Sequence, residues 1–112
     1  MIYTVKQVEK MGNGVMKHQR HFLYAKRVKL CKDIKHTHES YQDNAPHPLN
    51  QKLPKMIFAL KSGQELPPIL IDKDNVIVDG NHRLYAHKEL GREKIEVLQA
   101  VGRLYAKFKH HE

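Results

Sequence analysis

The sequence predicts a small α+β domain: a mixed sheet with few short helices. Three observations lead there. Two apolar, mostly β-branched runs, Ile69-Leu70-Ile71 and Val76-Ile77-Val78, flank the polar turn Asp72-Lys73-Asp74-Asn75. The second run breaks at Asp79-Gly80 into a helical stretch from His82 to Leu90, with Leu84, Ala86 and Leu90 as packing residues and Gly91 as the stop. A third strand, Ile95-Glu96-Val97-Leu98, comes next. At 112 residues the expectation is one domain.

Other segments carry weaker signals. Residues 2–9 alternate loosely between apolar and polar, the pattern of an edge strand. Gly12-Asn13-Gly14 is a break, suited to a turn with positive φ. From His21 to Leu30, Phe22, Tyr24, Val28 and Leu30 fall at even spacing, the period of a half-buried strand fringed by Lys26, Arg27, Lys29 and Lys32. Residues 35–50 are polar and proline-containing, hence a loop. Pro54 suits the first turn of a short helix, with Leu53, Ile57 and Leu60 as its buried stripe and Gly63 as its end. Residues 102–112 fit either a strand or a helix, with a frayed His110-His111-Glu112 tail.

Charge narrows the function. The net charge is +8. Residues 1–35 hold nine Lys/Arg against Glu9 and Asp33, or +7, so the excess sits in the first third. That asymmetry points to a polyanion, most often nucleic acid, with Lys17, Arg20, Lys26, Arg27, Lys29 and Lys32 as candidate contacts and Tyr24 or Phe22 near a base. The alternative is a solvated lysine face that keeps the protein soluble. No apolar stretch approaches a membrane span, and Met1–Lys6 lacks the pattern of a signal peptide. One cysteine, Cys31, excludes an internal disulfide framework and reads as a small buried apolar residue. A cytoplasmic location is expected.

The corner Asp79-Gly80-Asn81-His82-Arg83 has the composition of a phosphate site. A helix that starts abruptly after a strand presents its first N–H groups unpaired, and its dipole favours an anion there. Gly80 lets a ligand approach the backbone. Asp79 or Asn81 can cap the first turn. Arg83 offers a planar charged fork, and His82 a donor or proton carrier near neutral pH. The competing reading is a plain capped helix with a solvated arginine.

The ordered set Pro68-Ile69-Leu70-Ile71, Val76-Ile77-Val78-Asp79-Gly80-Asn81-His82-Arg83-Leu84-Tyr85-Ala86, Glu89-Leu90-Gly91 and Ile95-Glu96-Val97 resembles the ParB/sulfiredoxin-like superfamily over roughly residues 27–98. The resemblance implies a ParB/sulfiredoxin-like domain over 27–112, with residues 1–26 as a basic extension packed on it. It also implies a nucleotide or phosphate site at the motif turn. Three branches of the superfamily matter: partition proteins that bind nucleotide and DNA, ParB-like nucleases, and phosphate-transferring members including sulfiredoxin and free-serine kinases. Sulfiredoxin carries a cysteine where Asn81 stands, and partition proteins a glutamate there, which turns the expectation away from both. The kinase branch has a His-Glu pair early in the domain, matched by His38-Glu39, with the glutamate as base.

Two function classes are open. The first acts on DNA, as a nuclease or a nucleotide-dependent binder, through the basic segment and the motif turn. The second is a small-molecule phosphotransferase or nucleotidase. In either, Glu39, His82 and Arg83 are the candidate catalytic residues, with Asp79, Gly80, Asn81, His82 and Arg83 holding ATP, ADP or CTP. Glu39 and Asp79, or Asp72, are candidate Mg²⁺ ligands, although Asp72 and Asp74 equally suit a hairpin turn. A non-catalytic DNA- or partner-binding module is the third option. A chain this short can also need a homodimer to complete its site. His36, His38 and His47 are candidate metal ligands, but no cysteine completes a zinc pattern, and solvated loop histidines are the expectation.

Overall fold

Thr4 decides how the chain begins. Its hydroxyl accepts the backbone N–H of Gln7 while the Gln7 side chain accepts the Thr4 N–H, a reciprocal capping box. The edge strand expected over residues 2–9 is therefore only two residues long, β1 (Ile2–Tyr3), and leads into α1 (Val5–Lys10). Val5 and Val8, one helical turn apart, are the buried residues of α1. The computed structural model describes residues 2–15, 17, 20–37 and 52–103.

The basic strand forms as expected and belongs to a long ribbon. β2 (Phe22–Leu30) pairs antiparallel with β5 (Lys94–Arg103) along its whole length, from Phe22 opposite Arg103 to Leu30 opposite Lys94. A boundary at residue 26 falls inside β2, so the first 26 residues contribute strands to the same sheet as residues 27–103. After β2 come a 3-10 turn at Cys31–Asp33 and a single parallel bridge between Lys35 and Val76. α2 (Lys52–Lys61) begins two residues before Pro54, which sits in its first turn, and Gly63 at φ 82° lies just past its end. Leu60 is its buried residue, Leu53 and Ile57 are half-buried, and Phe58 is exposed.

β3 (Ile69–Ile71) and β4 (Ile77–Asp79) make the expected hairpin. Asp72 Oδ1 accepts the N–H groups of Asp74 and Val76, and Asn75 takes φ 66°. α3 (Asn81–Glu89) then returns the chain so that β5 enters beside β3, parallel to it. The sheet order is β1-β2-β5-β3-β4. β5 begins one residue before the expected strand and runs through Arg103, and residues 104–112 lie outside the described residues.

Strand alternation makes two cores, one on each face. Ile69, Ile71, Ile95 and Val97 pack with Leu84 of α3, Ile77, Cys31 and Ile34. Leu70, Leu98 and Ala100 point the other way and pack with Val5, Val8 and Tyr24. Cys31 is buried, as expected. Tyr24 is fully buried, and burial, then the charge of Asp72, pushes its hydroxyl pKa up to about 12. It is core, not a base-stacking platform. Phe22 is half-buried against the same cluster.

Gly12 joins these layers. It sits at φ +101°, and a Cβ there would lie 2.8 Å from Pro67 Cγ. At Gly14 φ is not positive, and a Cβ there would meet nothing within 4 Å among the described residues. Gly12→Ala is expected to cost about 1–3 kcal/mol of stability, and Gly14→Ala a few tenths at most, when both are measured by chemical denaturation.

Candidate phosphate-binding site

The corner between β4 and α3 turns on Gly80. Its backbone takes φ 120°, ψ 25° and forms the N-cap of α3. A Cβ there would meet Ile69 and the Arg83 Nε at 3.2–3.3 Å. Gly80 O accepts the N–H of Leu84 at 3.0 Å and closes the first helical turn. With no side chain of its own, Gly80 cannot cap the helix.

The residues expected to cap are held elsewhere. Asp79 Oδ2 accepts the N–H of Gly14 at 2.8 Å and pairs with Arg83 Nη2 at 2.8 Å. Asn81 Oδ1 accepts the N–H of Thr37 at 3.0 Å, and Asn81 Nδ2 donates to Thr37 Oγ1 at 2.9 Å. Thr37 Oγ1 in turn donates to Ile77 O at 2.6 Å. His36 Nδ1 lies 3.1 Å from Asn81 Oδ1. Because that oxygen is an acceptor, the neutral imidazole carries its hydrogen on Nδ1. Among the described residues α3 thus starts with no side-chain cap at Gly80, and the positive end of its dipole lies at the corner.

Arg83 corrects the sequence reading most sharply. Its place in the motif predicts a charged fork open to phosphate oxygens. Instead the residue is 7% exposed. Nη1 donates to Asn13 Oδ1 at 2.8 Å, Pro67 O at 3.0 Å and Pro68 O at 2.9 Å, and Nη2 pairs with Asp79. The guanidinium is the back wall of the corner. Asn13 is buried with it, and its Nδ2 finds no acceptor among the described residues. Nothing in the sequence near Arg83 identifies Asn13 or Thr37 as partners; the glycines flanking Asn13 are the one local sign that its backbone is constrained.

His82 is half-buried beside the corner and close enough to His36 for its charge to disfavour the imidazolium there. Burial, mainly, holds the His36 pKa below its ordinary value, with Lys88 and His82 acting in the same direction and the Asn81 hydrogen bond opposing. Glu39, His38 and His47 lie outside the described residues. Asp72 and Asp79 both have oxygens engaged by protein donors, and no three His, Cys, Asp or Glu side chains among the described residues gather into a metal site. Glu39, the expected partner of Asp79 on Mg²⁺, is not among the described residues.

The six candidate nucleic-acid residues do not form one stripe. Lys26 lies opposite Leu98, on the α1 side of the sheet, and pairs with Glu96 at 3.8 Å. Arg27 and Lys29 lie opposite Val97 and Ile95, on the α3 side. Arg20 pairs with Glu9 at 3.1 Å. Lys17, Arg27 and Lys32 are exposed and Lys29 half-exposed, none in an ion pair among the described residues.

No protein-family model and no curated protein matches the chain. Solved structures do. The C2221 form of a pNOB8-like ParB N-domain shares 20% identity at a TM-score of 0.56, over 78% of this chain and 34% of that one. Another pNOB8-like ParB N-domain structure shares 24% identity at 0.54, over 68% of this chain and 27% of that one. The chain spans about a third or less of these proteins, and the likeness establishes a ParB-like fold.

Two measurements check this arrangement. Arg83→Ala leaves Asp79, Asn13 and two carbonyls without their donor, and is expected to lower stability by about 3 kcal/mol, the low end for a buried pair because Asp79 is partly exposed; Arg83→Lys, unable to reach all four, recovers only part of it in urea denaturation. His36 and His87 both titrate below 6.5 when folded, each chiefly through burial. The unfolded chain therefore binds protons first. Stability is full above about pH 6.5 and falls as pH drops through the folded values. His36→Asn, which keeps a donor near Asn81 and removes the titration, is expected to flatten that fall in midpoints measured across pH.

Proposed function

We propose that this chain, a domain with the ParB-like fold, acts on DNA and holds a phosphate or nucleotide at the corner 79–83. One observation carries the reading: three side chains able to cap or crowd the start of α3 are each engaged by protein partners. Asp79 is turned to Gly14 and Arg83, Asn81 to Thr37 and His36, and Arg83 to the Pro67 and Pro68 carbonyls. A helix start whose nearby capping side chains, among the described residues, are engaged elsewhere is suited to an outside acceptor, and phosphate oxygens accept such amides well.

In this reading each residue has a separate task. The first-turn amides of α3 take the phosphate oxygens. Gly80 lets the corner pack closely against Ile69 and Arg83. His82 donates to the phosphate or carries a proton, and ATP, ADP or CTP, with Mg²⁺ brought by the nucleotide, is the ligand class. Arg83 and Asp79 act by positioning the corner. The cations of the basic third that form no ion pair among the described residues, Lys17, Arg27, Lys29 and Lys32, supply sequence-independent attraction to the DNA backbone. Cleavage of a phosphodiester or hydrolysis of the nucleotide is the activity this arrangement would support, through stabilisation of charge on the transferred group.

Titration of duplex and single-stranded DNA against salt tests the reading, alongside binding and turnover of ATP, ADP and CTP. Engagement of three or four phosphates gives a log–log salt slope of about −3 to −4. Arg27→Gln with Lys32→Gln is expected to reduce it by about two, and His82→Gln to weaken nucleotide binding roughly tenfold, about 1.4 kcal/mol. Absence of DNA affinity at physiological salt, together with nucleotide turnover lost in Glu39→Ala, would replace DNA by a small-molecule phosphoryl acceptor.

A further inference from the structure

At the other end of α3, about 13 Å along its axis from the corner, lies a second concavity. It has a volume of about 430 Å³ and is lined by Leu30, Cys31, Lys32, Lys88, Arg92 and Glu93. Three segments build it: the end of β2 with the 3-10 turn, the last turn of α3, and the link into β5. The Cys31 N–H donates to Glu93 O at 2.8 Å and fixes the turn against the link. The size falls within the range of small-ligand sites.

The charge of this pocket is unbalanced. Lys32, Lys88 and Arg92 stand around it against Glu93 alone, and among the described residues none of the three is in an ion pair. Arg92 Nη1 contacts His87 Nδ1 at 3.1 Å, a neutral partner that orients the guanidinium without cancelling its charge. The fields of Lys88 and Arg92 both reach the Cys31 thiol, where they oppose the effect of burial. A helix C-terminus accounts for one cation, since Lys88 complements the last carbonyls of α3. It does not account for Lys32 on a different element, or for Arg92 beyond Gly91. Mutual repulsion among three cations around a partly apolar pocket is relieved by an anion.

We infer that this pocket binds a phosphate group, with Lys32, Lys88 and Arg92 as its ligands and the Leu30–Cys31 floor as the surface on which the attached sugar or methylene carbons lie. Arg92 supplies the planar fork that Arg83 does not, and the two lysines supply point charges. The phosphate comes either from a nucleic-acid backbone or from a free phosphate ester. The site is independent of the corner 79–83 and stands whether or not that corner binds a nucleotide.

Amide ¹H–¹⁵N spectra of the full chain test this. Inorganic phosphate, then a short DNA duplex, is titrated at constant ionic strength, with chloride as the control. The expected result is saturable shifts at residues 31–33 and 88–93, with phosphate affinity at least tenfold weaker in K88Q/R92Q and in K32Q/R92Q, both exposed substitutions. Competition between duplex and phosphate for the same shifts assigns the source to the nucleic-acid backbone; phosphate binding with no effect of the duplex assigns it to a free ester. Shifts that chloride reproduces, or an affinity unchanged in both double variants, overturn the proposal. Shifts at residues 80–83 report on the corner separately, so failure of one site is not confused with failure of the other.

Discussion

The structure depends on one buried cation. Arg83 is the only charged side chain below a tenth exposure among the described residues, and it ties three distant parts of the chain together: Asn13 after α1, the Pro67–Pro68 carbonyls before β3, and Asp79 at the end of β4. A guanidinium placed so deep is costly unless its donors are met, and its geometry allows several acceptors to be met at once. Asp79 completes the set by accepting the Gly14 N–H as well. The loop after α1, the entry to β3 and the exit from β4 therefore settle together.

That division of labour leaves the corner with an unusual character. A side chain that would ordinarily be read as a ligand is architectural, and the start of α3 is left without a side-chain cap among the described residues. Thr37 contributes in the same way from a different direction. By holding both ends of the Asn81 amide, it prevents a residue well suited to capping from turning back on its own helix. His36 adds a donor whose protonation is disfavoured by burial and by neighbouring positive charge, which keeps the network in its neutral form near physiological pH.

Much of this was legible in the sequence, and the gaps have physical causes. The hairpin around Asp72–Asn75, the glycine corner, α3 and the strands flanking them arise from short-range pattern: β-branched runs, turn residues, and glycines where φ is positive. The start of the chain misled because its alternation was weak and Thr4 with Gln7 stabilises a helix there. The destination of Arg83 was not legible, because its acceptors outside the motif lie 15 to 70 residues away and two are backbone carbonyls that leave no mark on side-chain pattern. Asn81 escaped for the same reason, with Thr37 44 residues distant. The basic third suggested one surface, but strand alternation sends Lys26 to one side of the sheet and Arg27 and Lys29 to the other.

The placement of β5 bears on how the protein assembles. It lies between β2 and β3, yet among the described residues it is the last of the five strands in sequence order. Until residues 94–103 arrive, the β1–β2 and β3–β4 ribbons share no strand pairing and meet through flanking contacts such as the Lys35–Val76 bridge and the Gly14–Asp79 hydrogen bond, each exposing an edge and apolar faces too small to be stable alone. Emerging from the ribosome, the polypeptide completes its sheet in one late, long-range step, the kind of closure that slows folding and invites intermolecular pairing in the interval.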